Sequence, residues 1–244
     1  LNHYQPHLKV IHLHQTACGD GPYSAKATVE QYMEWGDPTR PDHGLDLEYP
    51  CVLPLIVAAA KDAYNDGCMR TVNIEDYFSK EFLASGVLEY LKTKNLGTDE
   101  LNEKIKEAMP ERRRPVDIMS EELIDKQTGK FKEGSHLYKC LMRAMELADL
   151  SQGWTPTKPI YFYHLKSDKV VPYSNFEAVK KGIMKNNPNV QFVEPSDAHA
   201  SVNLILRVAK GMVSPDYSHT DHSGGGFLFY MDYMLGDRLR SNKF

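Results

Sequence analysis

Long apolar runs are missing from this chain of 244 residues. The longest, Val52 to Ala60, is broken by Pro54 and falls far short of the roughly 20 residues a bilayer helix needs, so it does not cross a membrane. A charge excess is missing too. With 29 Lys+Arg against 33 Asp+Glu, the formal charge is -4, which excludes nucleic-acid binding driven by a basic surface. Cysteine is sparse: Cys18, Cys51, Cys68 and Cys140 follow one another at spacings of 33, 17 and 72. That pattern fits neither a zinc ribbon nor a CxxC redox motif, a stapled miniprotein is excluded, and the compartment is left open. The first residues, Leu1 to His7 (LNHYQPH), carry no initiator Met, basic n-region or apolar h-region, so the sequence shows no address signal and reads as a piece of something longer. There is no internal repeat and no low-complexity segment.

What the sequence does hold is a globular composition, 41% hydrophobic and 25% charged, of a length that predicts one large domain or one domain with an insertion. Leu8 to Leu13 (LKVIHL) reads as a buried strand, and the cluster Cys18 to Pro22 (CGDGP) as the loop after it. Tyr23 to Met33 follows with helical character, Ser24 or Thr28 offering caps. From about Asp46 to Gly153 strand signals give way to amphipathic helices. These are expected over Val52–Asn65, Ile74–Lys94 after the cap Asn73, Asp99–Met109 after Thr98, and Leu137–Leu150, with Ser120 capping a shorter one.

Strand character returns at Pro159 to His164 (PIYFYH). Ser174 and Glu177 form a capping box that opens a helix to about Lys185, and Val190 to Val193 (VQFV) is a further strand. Strand, helix and strand in that order spell the crossover unit of a parallel sheet, so the architecture is α/β. The tail holds helices over Ala200–Met212 and Gly225–Leu239.

Chemistry concentrates at Tyr161 to Tyr173, YFYHLKSDKVVPY. A strand delivers Asp168 into the loop at its C-terminal end, where the functional side chains of open α/β sheets collect. Two metal arrangements are weaker. His12 and His14 share a strand face with no third ligand evident nearby, and His219, Asp221 and His222 match no established zinc spacing. The triplet Arg112-Arg113-Arg114 reads as a solvated turn between helices.

The run of hydrophobic strand, His164, Ser167-Asp168 and Val170-Val171-Pro172-Tyr173 resembles the acid loop of α/β-hydrolases, in particular secretory-lipase-like bacterial esterases. In that family the loop commonly reads His-Gly-x-x-Asp-x-x-Val-Pro; Leu165 and Lys166 replace its usual small residues. Cys18-Gly19-Asp20-Gly21-Pro22-Tyr23, then Ala27-Thr28, then Tyr49-Pro50-Cys51-Val52-Leu53-Pro54-Leu55 is similar to the family's passage from a central strand into a helical lid. The resemblance implies the C-terminal part of an α/β-hydrolase sheet, with residues 1–45 and 154–244 as core and 46–153 as a large helical lid insertion.

The resemblance also implies a serine hydrolase of the lipase or esterase type, acting on a small-molecule ester or lipid with no cofactor and no metal. Asp168 is then the triad acid. The base is expected beyond it, with His222 favoured and His199 and His219 as alternatives; each fits the order nucleophile, acid, base. Tyr23, Leu53, Leu55, Ile56, Phe78, Phe82 and Met142 would line the acyl pocket or simply pack the core, and Trp154 would pack at the seam of lid and core. Export to the periplasm, surface or medium is implied by the family alone.

One element is lacking. No Gly-x-Ser-x-Gly elbow occurs, and Ser85, Ser135 and Ser223 do not stand on a strand-turn-helix turn. The resemblance therefore places the nucleophile upstream, with the N-terminal half of the same protein, or another copy across a bare sheet edge, as the partner that completes the sheet. The alternatives are a non-catalytic binding protein or degenerate hydrolase, and a peptidase on the same scaffold.

Overall fold

Ser24 opens the first helix by accepting a hydrogen bond from the Ala27 amide at 3.3 Å, which satisfies one of the free N–H groups of the helix start. The computed structural model describes residues 16–39, 46–64, 67–93, 97–164, 166, 168–182 and 187–193. These fall into two compact units: a helical one from residues 22–150 with 169–175, and a sheet-based one from residues 16–21, 151–168 and 176–193.

In the helical unit, α1 (Ala25–Trp35), α2 (Val52–Ala63), α3 (Gly67–Arg70), α4 (Lys80–Ala84), α5 (Val87–Thr93), α6 (Thr98–Ala108), α7 (Pro115–Ile118) and α8 (His136–Leu147) follow in order. Helix α8 packs against α1, α2 and α3. Its Leu137, Leu141, Ala144 and Met145, at positions i, i+4, i+7 and i+8, are all buried, the signature of a helix with one face in the core. Leu53, Val57, Tyr77, Phe82, Ile105 and Ile118 fill the space they face. A disulfide between Cys68 and Cys140 ties α3 to α8, while Cys18 and Cys51 are free thiols.

The single helix expected over Ile74–Lys94 is three pieces. Asn73 donates its amide to Asp76 Oδ2 at 2.7 Å and starts only a short 3-10 turn, Ile74–Tyr77. Phe78 then turns extended and bridges Met119, with Ser79 N donating to Ile118 O and Ser120 N to Tyr77 O at 2.8 and 2.9 Å. Ser79 restarts the chain as the cap of α4, and Gly86 at φ +75 separates α4 from α5. Pairing with residues remote in sequence has overridden a local helical pattern. Ser120, expected to cap a helix, instead closes a turn through Leu123 N and Ile124 N. Helix α7 stands before it, with Pro115 at its first turn.

The sheet-based unit holds β1 (Thr16–Gly19), β2 (Ile160–Tyr163), α9 (Ser174–Gly182), whose first two residues group with the helical unit, and β3 (Val190–Val193). The strands are parallel in the order β1-β2-β3, with Thr16 opposite Ile160 and Gly19 opposite Tyr163, then Ile160 opposite Val190 and Tyr163 opposite Val193. Central β2 reads Ile-Tyr-Phe-Tyr and is buried throughout, as befits a strand covered on both faces. Phe162 stacks on Phe192 at 5.6 Å, and Phe176 of α9 meets Phe192 edge-on at 5.5 Å.

The expected crossover of strand, helix and strand is present. Its opening differs: Ser174 is the first helical residue, and its hydroxyl donates to Ala27 O rather than capping its own helix. Strand β1 also enters the cluster read as a loop, because Cys18 and Gly19 continue the ladder with Phe162 and Tyr163. Leu8–Leu13 and both tail helices lie outside the described residues. Trp154 is 38% exposed.

Candidate active site

Both β1 and β2 are followed directly by an ionisable residue. Asp20 follows β1 directly; its amide donates to Tyr163 O at 3.0 Å, which extends the ladder by one step, and its φ of 44 lies in the left-handed region that Asp tolerates better than most residues. His164 follows β2 and is wholly buried, and Asp168, four residues on, is 1% exposed. His164 Nε2 lies 3.8 Å from Asp168 Oδ2, and Nδ1 lies 4.0 Å from Asp20 Oδ1. These are ion-pair separations rather than hydrogen bonds.

An imidazole thus sits between two carboxylates at the C-terminal ends of parallel strands, the end where α/β sheets carry their sites. One donor atom from each of the three lies within 4.8 Å of the others, so the trio could also hold a cation. Tyr163 stands next to it; burial, with the Asp20 charge adding to it, pushes its phenol well above the ordinary value.

The segment leaving Asp168 is held by the helical unit's own bonds. Tyr32 donates its hydroxyl to Lys169 O at 2.9 Å and to Val170 O at 3.1 Å. The Lys169 ammonium lies 5.0 Å from the centre of the Trp35 ring. Asn175, fully buried, accepts from Ser24 N at 2.9 Å and donates to Thr28 Oγ1 at 2.8 Å.

Of the residues singled out in sequence, Asp168 is at this site. His222, His199 and His219 lie outside the described residues, as do His12 and His14. Asp20 and His164 were not singled out, although each left a signal: an acid between two glycines at a strand end, and a histidine inside the acid-loop motif that was given no role. Leu53, Phe78, Phe82 and Met142 are buried members of the helical core, which is the packing role weighed for them. Ser135 caps α8 and Ser85 ends α4, so neither stands on an elbow. Arg113 pairs with Asp46 at 3.2 Å and Arg114 with Asp117 at 2.9 Å, which commits two charges of the basic triplet to local contacts.

No protein-family model matches the sequence, and no curated protein matches it. Solved structures do. The rice cell wall degrading esterase LipA from Xanthomonas oryzae is similar with a TM-score of 0.53 and 14% identity, over 80% of this chain and 46% of that one. A proposed hydrolase from Legionella pneumophila subsp. pneumophila str. Philadelphia 1 is similar with a TM-score of 0.56 and 14% identity, over 98% of this chain and 52% of that one. The fold is therefore α/β and similar to that of these two proteins, and the chain spans about half the length of the structures it matches. Among the described residues no helix is long and apolar enough to cross a membrane.

Proposed function

We propose that this chain contributes the acid, the base and the helical lid of a serine hydrolase that cleaves carboxylic esters. The observation that carries the reading is the position of Asp168: a buried carboxylate at the C-terminal end of the central parallel strand, in a fold similar to that of an esterase. A carboxylate held there can fix an imidazole in one tautomer and stabilise the imidazolium formed during acyl transfer. His222 would take the serine proton and return it to the leaving alcohol, with His199 and His219 as the alternative bases. The helical unit, in this reading the lid, would border the acyl group.

The serine would come from a preceding half of the protein or from another copy docked on the sheet edge; that the matched structures are about twice as long is in keeping with this. The Cys68–Cys140 disulfide supports export to an oxidising compartment. A second reading, a binding protein without turnover, draws on the lack of a Gly-x-Ser-x-Gly elbow in the sequence.

The test is turnover of aryl esters by the natural full-length protein, together with labelling by a fluorophosphonate. Replacing Asp168 by Asn is expected to lower kcat by about 10³-fold or more, and replacing the true base among His222, His199 and His219 does the same. Near-normal turnover of D168N removes the acid assignment. A natural protein that takes up no label and hydrolyses no ester is the binding protein of the second reading.

A further inference from the structure

The Cys68–Cys140 disulfide has a histidine beside it. His136 lies one helical turn before Cys140 on α8, on the same face, with Nε2 at 3.6 Å and Nδ1 at 4.0 Å from Cys140 Sγ. One donor atom from each of Cys68, His136 and Cys140 falls within 4.8 Å of the others.

Thr71 sets the orientation of the ring. Its hydroxyl donates to Cys68 O at 2.7 Å, which uses its one hydrogen, so its oxygen accepts from His136 Nε2–H at 2.8 Å. That tautomer leaves the Nδ1 lone pair for a ligand. A metal-binding histidine characteristically has its other ring N–H held in this way. A cavity of about 240 Å³ borders both cysteines, with Tyr64, Met69, Arg143 and Leu147 among its walls.

We infer that Cys68, Cys140 and His136 form a redox-gated site for zinc, closed to metal as the disulfide and opened by reduction. Bond lengths of about 2.3 Å to sulfur and about 2.0 Å to nitrogen place neighbouring ligands of a tetrahedral zinc about 3.5 Å apart. The 4.0 Å between Nδ1 and Cys140 Sγ is about 0.5 Å longer than that. A dithiol reductant breaks the S–S bond by supplying two electrons and two protons, and is itself oxidised to a cyclic disulfide. Zn²⁺ then displaces both thiol protons to solvent, binds the two thiolates and Nδ1, and takes a water from the cavity as fourth ligand. Two thiolates balance the charge of the ion, so the occupied site is neutral. The two other cysteines are poor competitors, since burial raises both thiols, Cys51 to about 12. The site is independent of the ester-hydrolase reading.

The test uses the full chain, reduced under argon with a phosphine that does not compete for zinc, and titrated with Zn²⁺ and with Co²⁺ as a coloured substitute. One ion more per reduced chain than per oxidised chain is expected, with tetrahedral cobalt bands and thiolate-to-cobalt charge transfer in the reduced chain only. H136A keeps the disulfide, weakens binding at least tenfold and changes the cobalt bands; Thr71→Val weakens binding about tenfold; C68S weakens binding and reduces the charge-transfer band. Equal uptake by oxidised and reduced chains, or uptake unaltered by H136A or C68S, overturns the proposal. So does a reduced chain that has lost its circular dichroism and neither binds zinc nor regains structure with it.

Discussion

His164 Nε2 lies 3.8 Å from Asp168 Oδ2, and almost no solvent reaches either residue. The acid proposed for catalysis therefore already faces one imidazole from its own loop, with Asp20 on the far side of that ring. A buried group of this kind is costly to break, because removing one member takes from the others a partner they face at low exposure. His164→Ala is expected to lower stability by about 3 kcal/mol, read from urea unfolding. An unchanged midpoint would mean that the trio contributes nothing to the fold.

Tyr32→Phe removes the hydroxyl that holds Lys169 O and Val170 O. The expected loss is about 1 kcal/mol, with faster amide exchange confined to the segment 169–175. If exchange there is as slow as in the parent, the hydroxyl is not what anchors this segment.

The Cys68–Cys140 disulfide closes a loop over a sequence separation of 72. By chain entropy, replacing both cysteines with Ser costs about 4 kcal/mol. Unfolding curves of the double variant and of the oxidised parent measure the difference, and coincident curves would show that the disulfide constrains nothing.

Gly129 sits at φ +68, and a Cβ there would come 2.6 Å from Pro38 Cδ. Gly129→Ala must therefore strain its backbone and also push on a proline ring, at an expected cost of about 2 kcal/mol. Gly134, where a Cβ would meet nothing within 4 Å, serves as the control and should tolerate Ala far better.

Burial pushes the Cys51 thiol from 9.0 up to about 12, and the nearby Asp99 charge adds to the shift. The unfolded chain therefore gives up this proton first. The stability Cys51 contributes is complete below pH 9.0 and is lost as pH rises from there toward about 12. Tyr77, raised from 10.0 to about 12 by burial, acts in the same direction. Urea midpoints measured from about pH 8 to about pH 11 should fall less steeply for Cys51→Ala than for the parent; parallel slopes would disprove the burial effect at Cys51.

Much of the crossover was legible because its signals are local. Ile160–Tyr163 and Val190–Val193 are short apolar runs around a helix, and they pair in parallel on either side of it. Ser24 is read as a cap from its place before an amphipathic stretch, and it is one. Residues 74–94 failed for the converse reason. Their periodicity is helical, but Phe78 is held extended by Met119 and its neighbours, a pairing that no window around Phe78 contains.

The candidate site divides in the same way. Asp168 could be found in the sequence, because an acid just beyond a buried strand is a short-range pattern. Asp20 and His164 could not be joined without the β1–β2 register, which sets Gly19 beside Tyr163 and so brings the next residue of each strand to the same sheet end. Nor could the four cysteines be sorted into one disulfide and two free thiols before α3 was laid against α8.

The sequence by itself determined the α/β class, the helical block and the placing of an acid after a strand, since apolar period and capping are properties of neighbours along the chain. The tertiary structure alone decided which ionisable groups share a pocket, where a helical pattern is broken and which thiols meet. Those outcomes depend on packing and register between segments far apart in sequence, and each is settled by the free energy of the whole fold rather than of any one stretch.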